Sequence, residues 1–364
     1  MMLIVTARGP LERAYGNDGY SQIRAALDDF ALAAEARVVA LDDSTEMAES
    51  KLPPVVNPDA GSVLLSIRAL RRVATESVTS LLLVGGHEVL PFWQISNPVI
   101  DRNVDPDPIV NSDNPYGTQT DTLEEYLAPT LPVGRLANPE PRSAKAFVEV
   151  VALATLNRQS RPSRFGSMVL VNQQWADVSR QASTSLHDPI GWHLSPGYVI
   201  DSATMDDTNR ECLYFNLHGF SGVAAWKGYD PIRGQYITAV TPGSFDRQFV
   251  RGSVVFAENC YGAEIAGRAA GTSCALRLSR EGAAVIGATG LAFGSHLVPH
   301  MFLEDADCLA RRFFSRWCAE RQELGVALQG ARADYFAETA TSVTDPFKQK
   351  TLLQFILLGD PGWN

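Results

Sequence analysis

LYFNLHGFSG (213–222) and SVVFAENCYGA (253–263) each contain a short apolar run that ends beside a residue capable of chemistry. The runs 213–217 and 253–259 are the right length for strands that are buried on both faces of a parallel sheet. About 40 residues separate them, which is a normal length for a right-handed strand–helix–strand crossover. The two segments therefore predict neighbouring parallel strands, with His218 following one and Cys260 following the other.

Apolar runs alternate with amphipathic segments along the rest of the chain. Further strands are predicted at 3–7, 36–41, 81–86, 168–172, 198–200, 283–289 and 355–359, and helices at 20–34, 66–77, 143–157, 176–187, 243–250, 264–281, 302–320 and 322–338. This alternation indicates an α/β fold of mostly parallel sheets flanked by helices.

A polar, proline-containing stretch at 158–164 predicts a boundary between two related subdomains. Residues 1–160 would form the first and residues 161–364 the second, each an open α/β sheet. The proline-rich stretch 91–130 is predicted to be loop.

The composition excludes several classes of function. The net charge of −10 argues against nucleic acid or an anionic membrane as the main partner, and no apolar stretch is long enough to span a membrane. The N-terminal MMLIVTARGP has no basic region of the kind that precedes a signal peptide, so we expect a cytoplasmic location. Five cysteines without a CxxC pair, six histidines without ligand spacing and no phosphate-binding loop predict neither a metal nor a cofactor.

Because strands of an open α/β sheet present ligand sites at their carboxyl ends, His218 and Cys260 are expected at one edge. A thiolate is the reactive form of cysteine, and a nearby histidine can take the thiol proton and later give it to a leaving amine. Gly219 would let the backbone approach a substrate, and its N–H together with that of Cys260 would bind an oxyanion. The alternative is that Cys260 is a small apolar packing residue.

Several segments resemble the gingipain family of caspase-like cysteine peptidases. LYFNLHGFSGVAAW and VVFAENCYGA resemble the strands that end in that family's His-Gly pair and nucleophilic cysteine, and the order of the other matches also agrees: LLLVGGHEVLPF, VNSDNPYGT, LPVGRLA and LLGDPGW. The resemblance runs from about Leu81 to Pro361. It implies a caspase-like fold and peptide-bond hydrolysis, with His218 as acid and base, Cys260 as nucleophile and Gly219 as an oxyanion donor.

The resemblance also indicates where a substrate pocket would lie. Asp177 falls near the family's specificity acid, or is an ordinary aspartate at a helix N-terminus. Trp226 matches a pocket-lining tryptophan, or is a core residue. His296 and His300 fall in a segment that walls the pocket in relatives. The glutamate that supports the histidine in gingipains is replaced here by the amides Asn172, Gln173 and Gln174.

Two functions follow from these residues. The first is an endopeptidase that acts on a protein or peptide and cleaves after a basic residue, with a preference for Arg over Lys. If Arg233 and Arg268 line the pocket, an acidic preference is the alternative. The second function is a catalytically idle caspase-like module that binds a peptide or protein partner. An intracellular peptidase would also need a regulatory partner, ligand or loop to hold it idle.

Overall fold

The computed structural model describes residues 1–186, 189–295, 303–338 and 344–364. The strands are Met2–Thr6 (β1), Ala36–Ala40 (β2), Ser80–Val84 (β3), Trp93–Ser96 (β4), Ile109–Ser112 (β5), Val133–Leu136 (β6), Ser167–Asn172 (β7), Pro189–Ser195 (β8), Cys212–Asn216 (β9), Trp226–Asp230 (β10), Gln235–Val240 (β11), Val254–Ala257 (β12), Ala284–Ala288 (β13) and Phe355–Leu358 (β14). The helices are Arg8–Ala34 (α1), Ser44–Glu49 (α2), Ala60–Val73 (α3), Leu123–Leu127 (α4), Ala144–Gln159 (α5), Ala176–Ala182 (α6), Arg247–Val250 (α7), Cys274–Arg280 (α8), Asp305–Phe314 (α9), Leu324–Ala337 (α10) and Pro346–Gln354 (α11).

Within these residues, ten strands form one sheet in the order β2-β1-β3-β6-β14-β13-β12-β9-β7-β8. The sequence predicts a separate open sheet in each half, but β14 joins the two by pairing with β6 on one side and β13 on the other. The β13–β14 pair is antiparallel and the other pairs of this sheet are parallel. The carboxyl ends of the first-half strands therefore point to one edge of the sheet, and those of β7, β9, β12 and β13 point to the opposite edge.

Helices cover both faces of the sheet, as the mostly apolar strands require. In the second half, Leu213 and Phe215 of β9 pack into one hydrophobic cluster, whereas Tyr214 between them packs into the cluster on the other face with α9 and α10. This alternation fixes the register of β9 because a slip of one residue would exchange the two faces. No helix in the described part of the chain is long and apolar enough to cross a membrane.

Two predicted elements differ from the structure. The predicted strand at 198–200 is irregular and follows a turn at 196–197 after the edge strand β8, and the Ile200 amide bonds to Ala239 of β11. The predicted helix at 264–281 is helical only in α8, because residues 264–272 contain Gly267 and Gly271 and follow an irregular path. The proline-rich stretch 91–130 is largely irregular, although it includes β4, β5 and α4.

Candidate active site

His218 and Cys260 follow adjacent parallel strands at the same edge of the sheet. Phe215 of β9 is level with Ala257 of β12, so counting three residues onward on each strand brings His218 level with Cys260. The Leu217 amide donates to Asn259 Oδ1 over 2.6 Å, which extends this pairing beyond the strands. Adjacent strands lie about 4.8 Å apart, so the register brings the backbones of the two residues close together.

Gly219 carries the closest backbone approach in the site. A Cβ atom built on it would lie 1.8 Å from the carbonyl oxygen of Cys260, closer than two such atoms can approach. The segment after His218 therefore packs directly on the segment that carries Cys260, and this contact requires glycine at position 219. Among the described residues, the amides of Gly219 and Cys260 donate no hydrogen bond to another residue.

The His218 imidazole is half-buried in an aromatic enclosure. Its ring centroid lies 4.4 Å from that of Trp175 and 4.9 Å from that of Tyr236. Its backbone N–H and C=O both pair with Lys227 of β10 at 2.8 Å, which fixes the start of the side chain. Burial lowers the pKa of His218 to about 4, so the ring is neutral at neutral pH.

Asn172 at the end of β7 occupies the place beside the imidazole. Its side-chain Nδ2 lies 3.4 Å from His218 Nε2, and its Oδ1 accepts the Tyr229 amide at 3.0 Å. Because the oxygen is held by Tyr229, the NH₂ group faces the ring. An amide in this orientation holds the ring in place but cannot stabilise an imidazolium as a carboxylate does.

Cys260 as a residue is partly exposed, whereas the other four cysteines are buried. Its sulfur donates to the Ala292 carbonyl over 3.3 Å and accepts the Ala292 amide over 3.4 Å. Burial is the main cause that raises the thiol's pKa. In this state the hydrogen bonds of the sulfur run to Ala292 and not to the imidazole, an arrangement that a bound substrate can change.

A cavity of about 200 Å³ opens beside Cys260. Its walls include Trp175, Asn216, Ala292 and the two acids Glu258 and Asp307. Trp175 also packs on His218, so this residue links the imidazole to the cavity.

The two acids of the cavity are both buried. Glu258 is 5% exposed and Asp307, on α9, is 1% exposed. The Tyr214 hydroxyl donates to Glu258, and the Ser295 amide donates to Asp307 over 2.6 Å. Burial, followed by the charge of Asp307, raises the pKa of Glu258 well above its usual range. Protonation of Glu258 is therefore favoured, as it is in other close pairs of buried carboxyl groups.

The structure places the predicted pocket residues elsewhere. Asp177 is exposed in the first turn of α6, where its negative charge stabilises the helix N-terminus. Trp226 is 3% exposed and packs in the core against Phe215 and Phe245. Arg233 and Arg268 do not line the cavity either; they pair with acids near them in sequence. His296 and His300 lie outside the described residues.

Neither acid of the cavity is among the residues predicted from the sequence. Glu258 is the one charged residue in the apolar run before Cys260, and that position was the available signal. Asp307 gives no such signal because it reads as an ordinary acid in the first turn of α9.

The fold and the comparisons below define a class, the caspase-like cysteine peptidases. The sequence profile of Peptidase family C25 matches residues 57–364, and the chain belongs to this family, that of the gingipains. The protein is therefore a cysteine-type peptidase, a hydrolase, and its substrates are proteins or peptides.

Solved structures show the same fold. The Arg-specific cysteine proteinase gingipain R matches with a TM-score of 0.62 and 12% identity, over 100% of this chain and 77% of that one. A complex of the pro- and mature domains of Porphyromonas gingivalis RgpB matches with the same score and identity over 79% of its chain. A third structure, described only as a protease, has a TM-score of 0.64 and 13% identity over 99% of this chain and 77% of its own. No curated protein matches the sequence.

Proposed function

We propose that the protein is an endopeptidase that cleaves after basic residues, with Cys260 as nucleophile and His218 as acid and base. The observation that supports the roles of Cys260 and His218 is the register of β9 and β12, which brings both residues to one edge of the sheet. The close contact between Gly219 and the Cys260 carbonyl supports these roles, because it brings together two amides that donate to no other residue in the described part of the chain.

The reaction needs only groups that the site contains. Neutral His218 takes the proton of the Cys260 thiol, and the thiolate forms a bond to the scissile carbonyl carbon. The amides of Gly219 and Cys260 donate to the resulting oxyanion. His218 then protonates the amine nitrogen as the C–N bond breaks, leaving an acyl-enzyme. A water molecule, deprotonated by His218, adds to the acyl carbon, the C–S bond breaks to release the acid, and the imidazolium returns its proton to the Cys260 sulfur.

The substrate must first release the thiol from Ala292. In the free site the sulfur is held by both backbone groups of that residue, and its pKa is raised. A peptide bound beside Cys260 would compete for the backbone groups of Ala292 and let the sulfur turn towards the His218 imidazole. The low pKa of His218 keeps the ring ready to accept a proton, although it makes the imidazolium costly.

The cavity supports the preference for a basic residue. It opens at the sulfur that becomes bonded to the acyl carbon, so the side chain before the scissile bond is the one that enters it. The carboxyl groups of Glu258 and Asp307 line it, and a guanidinium can bind a carboxylate through two parallel hydrogen bonds. Entry of a cation would favour the ionised form of Glu258, which strengthens the attraction further.

A panel of fluorogenic peptides tests this proposal. The peptides differ only in the residue before the reporter, which is Arg, Lys, Ala or Asp. We expect turnover with Arg above Lys, little with Ala, none with Asp, and none with the Cys260→Ala variant. Turnover by Cys260→Ala equal to that of wild type would show that Cys260 is not the nucleophile. Turnover confined to the Asp peptide would show that the acidic cavity does not select a basic residue.

A catalytically idle binding module is the second candidate, and Asn172 is the observation that favours it. With its NH₂ group towards the imidazole, Asn172 lacks the charge that would support a protonated ring. The two candidates differ in calorimetry, since an idle module would bind an Arg peptide and leave it intact after prolonged incubation. Cleavage products in that sample would exclude this candidate.

Regulation and location stay predictions from the sequence. We propose that a peptidase of this kind acts in the cytoplasm under the control of a partner, ligand or loop. Comparison of activity in a cell extract with activity of the purified protein tests this, because a lower specific activity in the extract would indicate an inhibitor.

A further inference from the structure

A segment of the first half reaches the active site of the second. Residues 97–108, which we call the aspartate loop, belong to the proline-rich stretch and carry Asp105 and Asp107. Asp105 is fully buried and pairs with Lys350 of α11, itself fully buried. Asp107 pairs with the same ammonium at 3.1 Å. Lys350 therefore anchors the aspartate loop beside the start of β14, at the edge of the sheet that carries Cys260.

Asp107 contacts both segments that surround the nucleophile. Its Oδ1 accepts the hydroxyl of Tyr261, the residue after Cys260, at 2.8 Å. Its Oδ2 accepts the amide of Leu291 at 2.8 Å, and Leu291 precedes Ala292, whose backbone holds the Cys260 sulfur. The Asp107 carboxylate thus holds the residue that follows Cys260 and the residue that precedes Ala292.

The backbone at Tyr261 shows why such a support is needed. Tyr261 has a φ of 54°, a left-handed conformation that costs free energy for a residue with a bulky side chain. Its amide donates to the Gly290 carbonyl at 2.7 Å, and its side chain is tied to Asp107. These two contacts hold the turn that presents the Cys260 sulfur and amide.

We propose that Asp107 is a positioning residue for the Cys260 nucleophile, acting through Tyr261 and Leu291. The inference rests on the proposed function, since it assigns the residue a part in presenting the catalytic thiol. It also gives the first half of the chain a specific role, which is to complete the active site of the second half. A carboxylate suits this role because it accepts from a hydroxyl, an amide and an ammonium at once. Asparagine would turn a donor towards one of them.

The test uses Asp107→Asn, Tyr261→Phe and their double variant, with Asp105→Asn as the matched control. The control removes a charge from the same loop and the same lysine, keeps a side-chain oxygen that can accept the Asp107 amide, and contacts neither Tyr261 nor Leu291. For Asp107→Asn we expect kcat to fall about 10–100-fold with KM changed less than about twofold, the size of effect that small misplacements of a reacting group produce. Tyr261→Phe should lose less, and the double variant should be no worse than Asp107→Asn. Asp105→Asn should lower Tm and leave kcat of the folded protein near wild type.

The pH dependence of alkylation separates positioning from other roles. Asp107 contributes a charge that raises the pKa of Cys260, so Asp107→Asn should move the iodoacetamide profile of this thiol to lower pH. Tyr261→Phe should leave the profile in place. The discriminating variant is Tyr261→Phe, which keeps the Asp107 charge and should lower kcat without moving the profile, whereas a structural defect that exposes the thiol would move it because burial raises the thiol's pKa. Wild-type kcat in both single variants, or losses that multiply in the double variant, would overturn the proposal.

Hydrogen exchange keeps the test independent of peptidase activity. Peptides covering 256–265 and 289–295 should exchange faster in Asp107→Asn and Tyr261→Phe, and at the wild-type rate in Asp105→Asn. If wild type cleaves no peptide but this pattern is found, the proposed function fails and the positioning contact stands. Unchanged exchange in Tyr261→Phe, which retains the aromatic ring, would overturn the positioning role even if Asp107→Asn did not fold.

Discussion

The acid pair of the cavity makes the most specific prediction about substrate choice. Replacing Glu258 with Gln and Asp307 with Asn keeps the shape of each side chain and removes its charge. Both residues are at most 5% exposed, so solvent screens their interaction with a bound cation only weakly. Removing one partner of a buried, hydrogen-bonded charge pair costs about 2–5 kcal/mol, and about 1.4 kcal/mol corresponds to a tenfold change. The full loss is therefore about 30-fold to several thousandfold in kcat/KM for an Arg peptide.

The single variants should lose less than the double variant. In Asp307→Asn, Glu258 no longer faces a neighbouring negative charge, so its pKa falls and it can ionise to bind the substrate cation. We expect about a 30-fold loss or less for either single variant and about 1,000-fold for the double variant. The Ala peptide should change less than about threefold. The assay is kcat/KM with the Arg and Ala peptides side by side, and a double variant that keeps the wild-type Arg-to-Ala ratio would refute the reasoning.

Glu258 also predicts how stability changes with pH in the empty protein. Its pKa is raised above the ordinary value of 4.5, so the folded state holds a proton that the unfolded state has lost. The contribution to stability is complete below about pH 4.5 and declines as pH rises towards the folded-state pKa. Glu258→Gln removes this decline, so its Tm relative to wild type should be higher at pH 8 than at pH 5. A Tm difference that is the same at both pH values would contradict the raised pKa of Glu258.

Three further predictions concern the dyad. The His218 resonance should titrate near pH 4 by NMR, because burial lowers its pKa, and a midpoint near 6.5 would show that the ring is solvated. Asn172→Asp should raise that midpoint and increase kcat, since a carboxylate held by the Tyr229 amide would stabilise the imidazolium; an unchanged midpoint would contradict the assigned contact. Limited iodoacetamide treatment with peptide mapping should label Cys260 before the buried Cys274, and equal labelling would count against solvent access at the nucleophile.

The sequence predicts well the parts of the fold that depend on short, continuous apolar runs. The runs before His218 and Cys260 correspond to β9 and β12, because strands buried on both faces leave an unbroken apolar pattern. The pattern fails for β6, where the fully buried Arg135 interrupts the run and pairs with Asp113. A charge satisfied by a distant partner cannot be told from an exposed one by periodicity alone.

The same limit applies to the candidate site. His218 and Cys260 could be predicted because each follows a recognisable strand. Asp307 and Asp107 could not, since each reaches the site from another part of the chain through tertiary packing. Asp177 resembles a pocket acid in position along the sequence, yet α6 turns it to solvent. Placement of an acid in a pocket depends on how helices pack, which neighbouring residues in sequence do not reveal.

The central claim is that Cys260, activated by His218, hydrolyses peptide bonds. The most direct measurement is mass spectrometry of wild type, Cys260→Ala and His218→Ala after incubation with an Arg peptide. We predict that wild type produces the two cleavage products, with cleavage after Arg, and that neither variant produces them above the uncatalysed level. Intact peptide with wild type, or the same products from Cys260→Ala, would contradict the account.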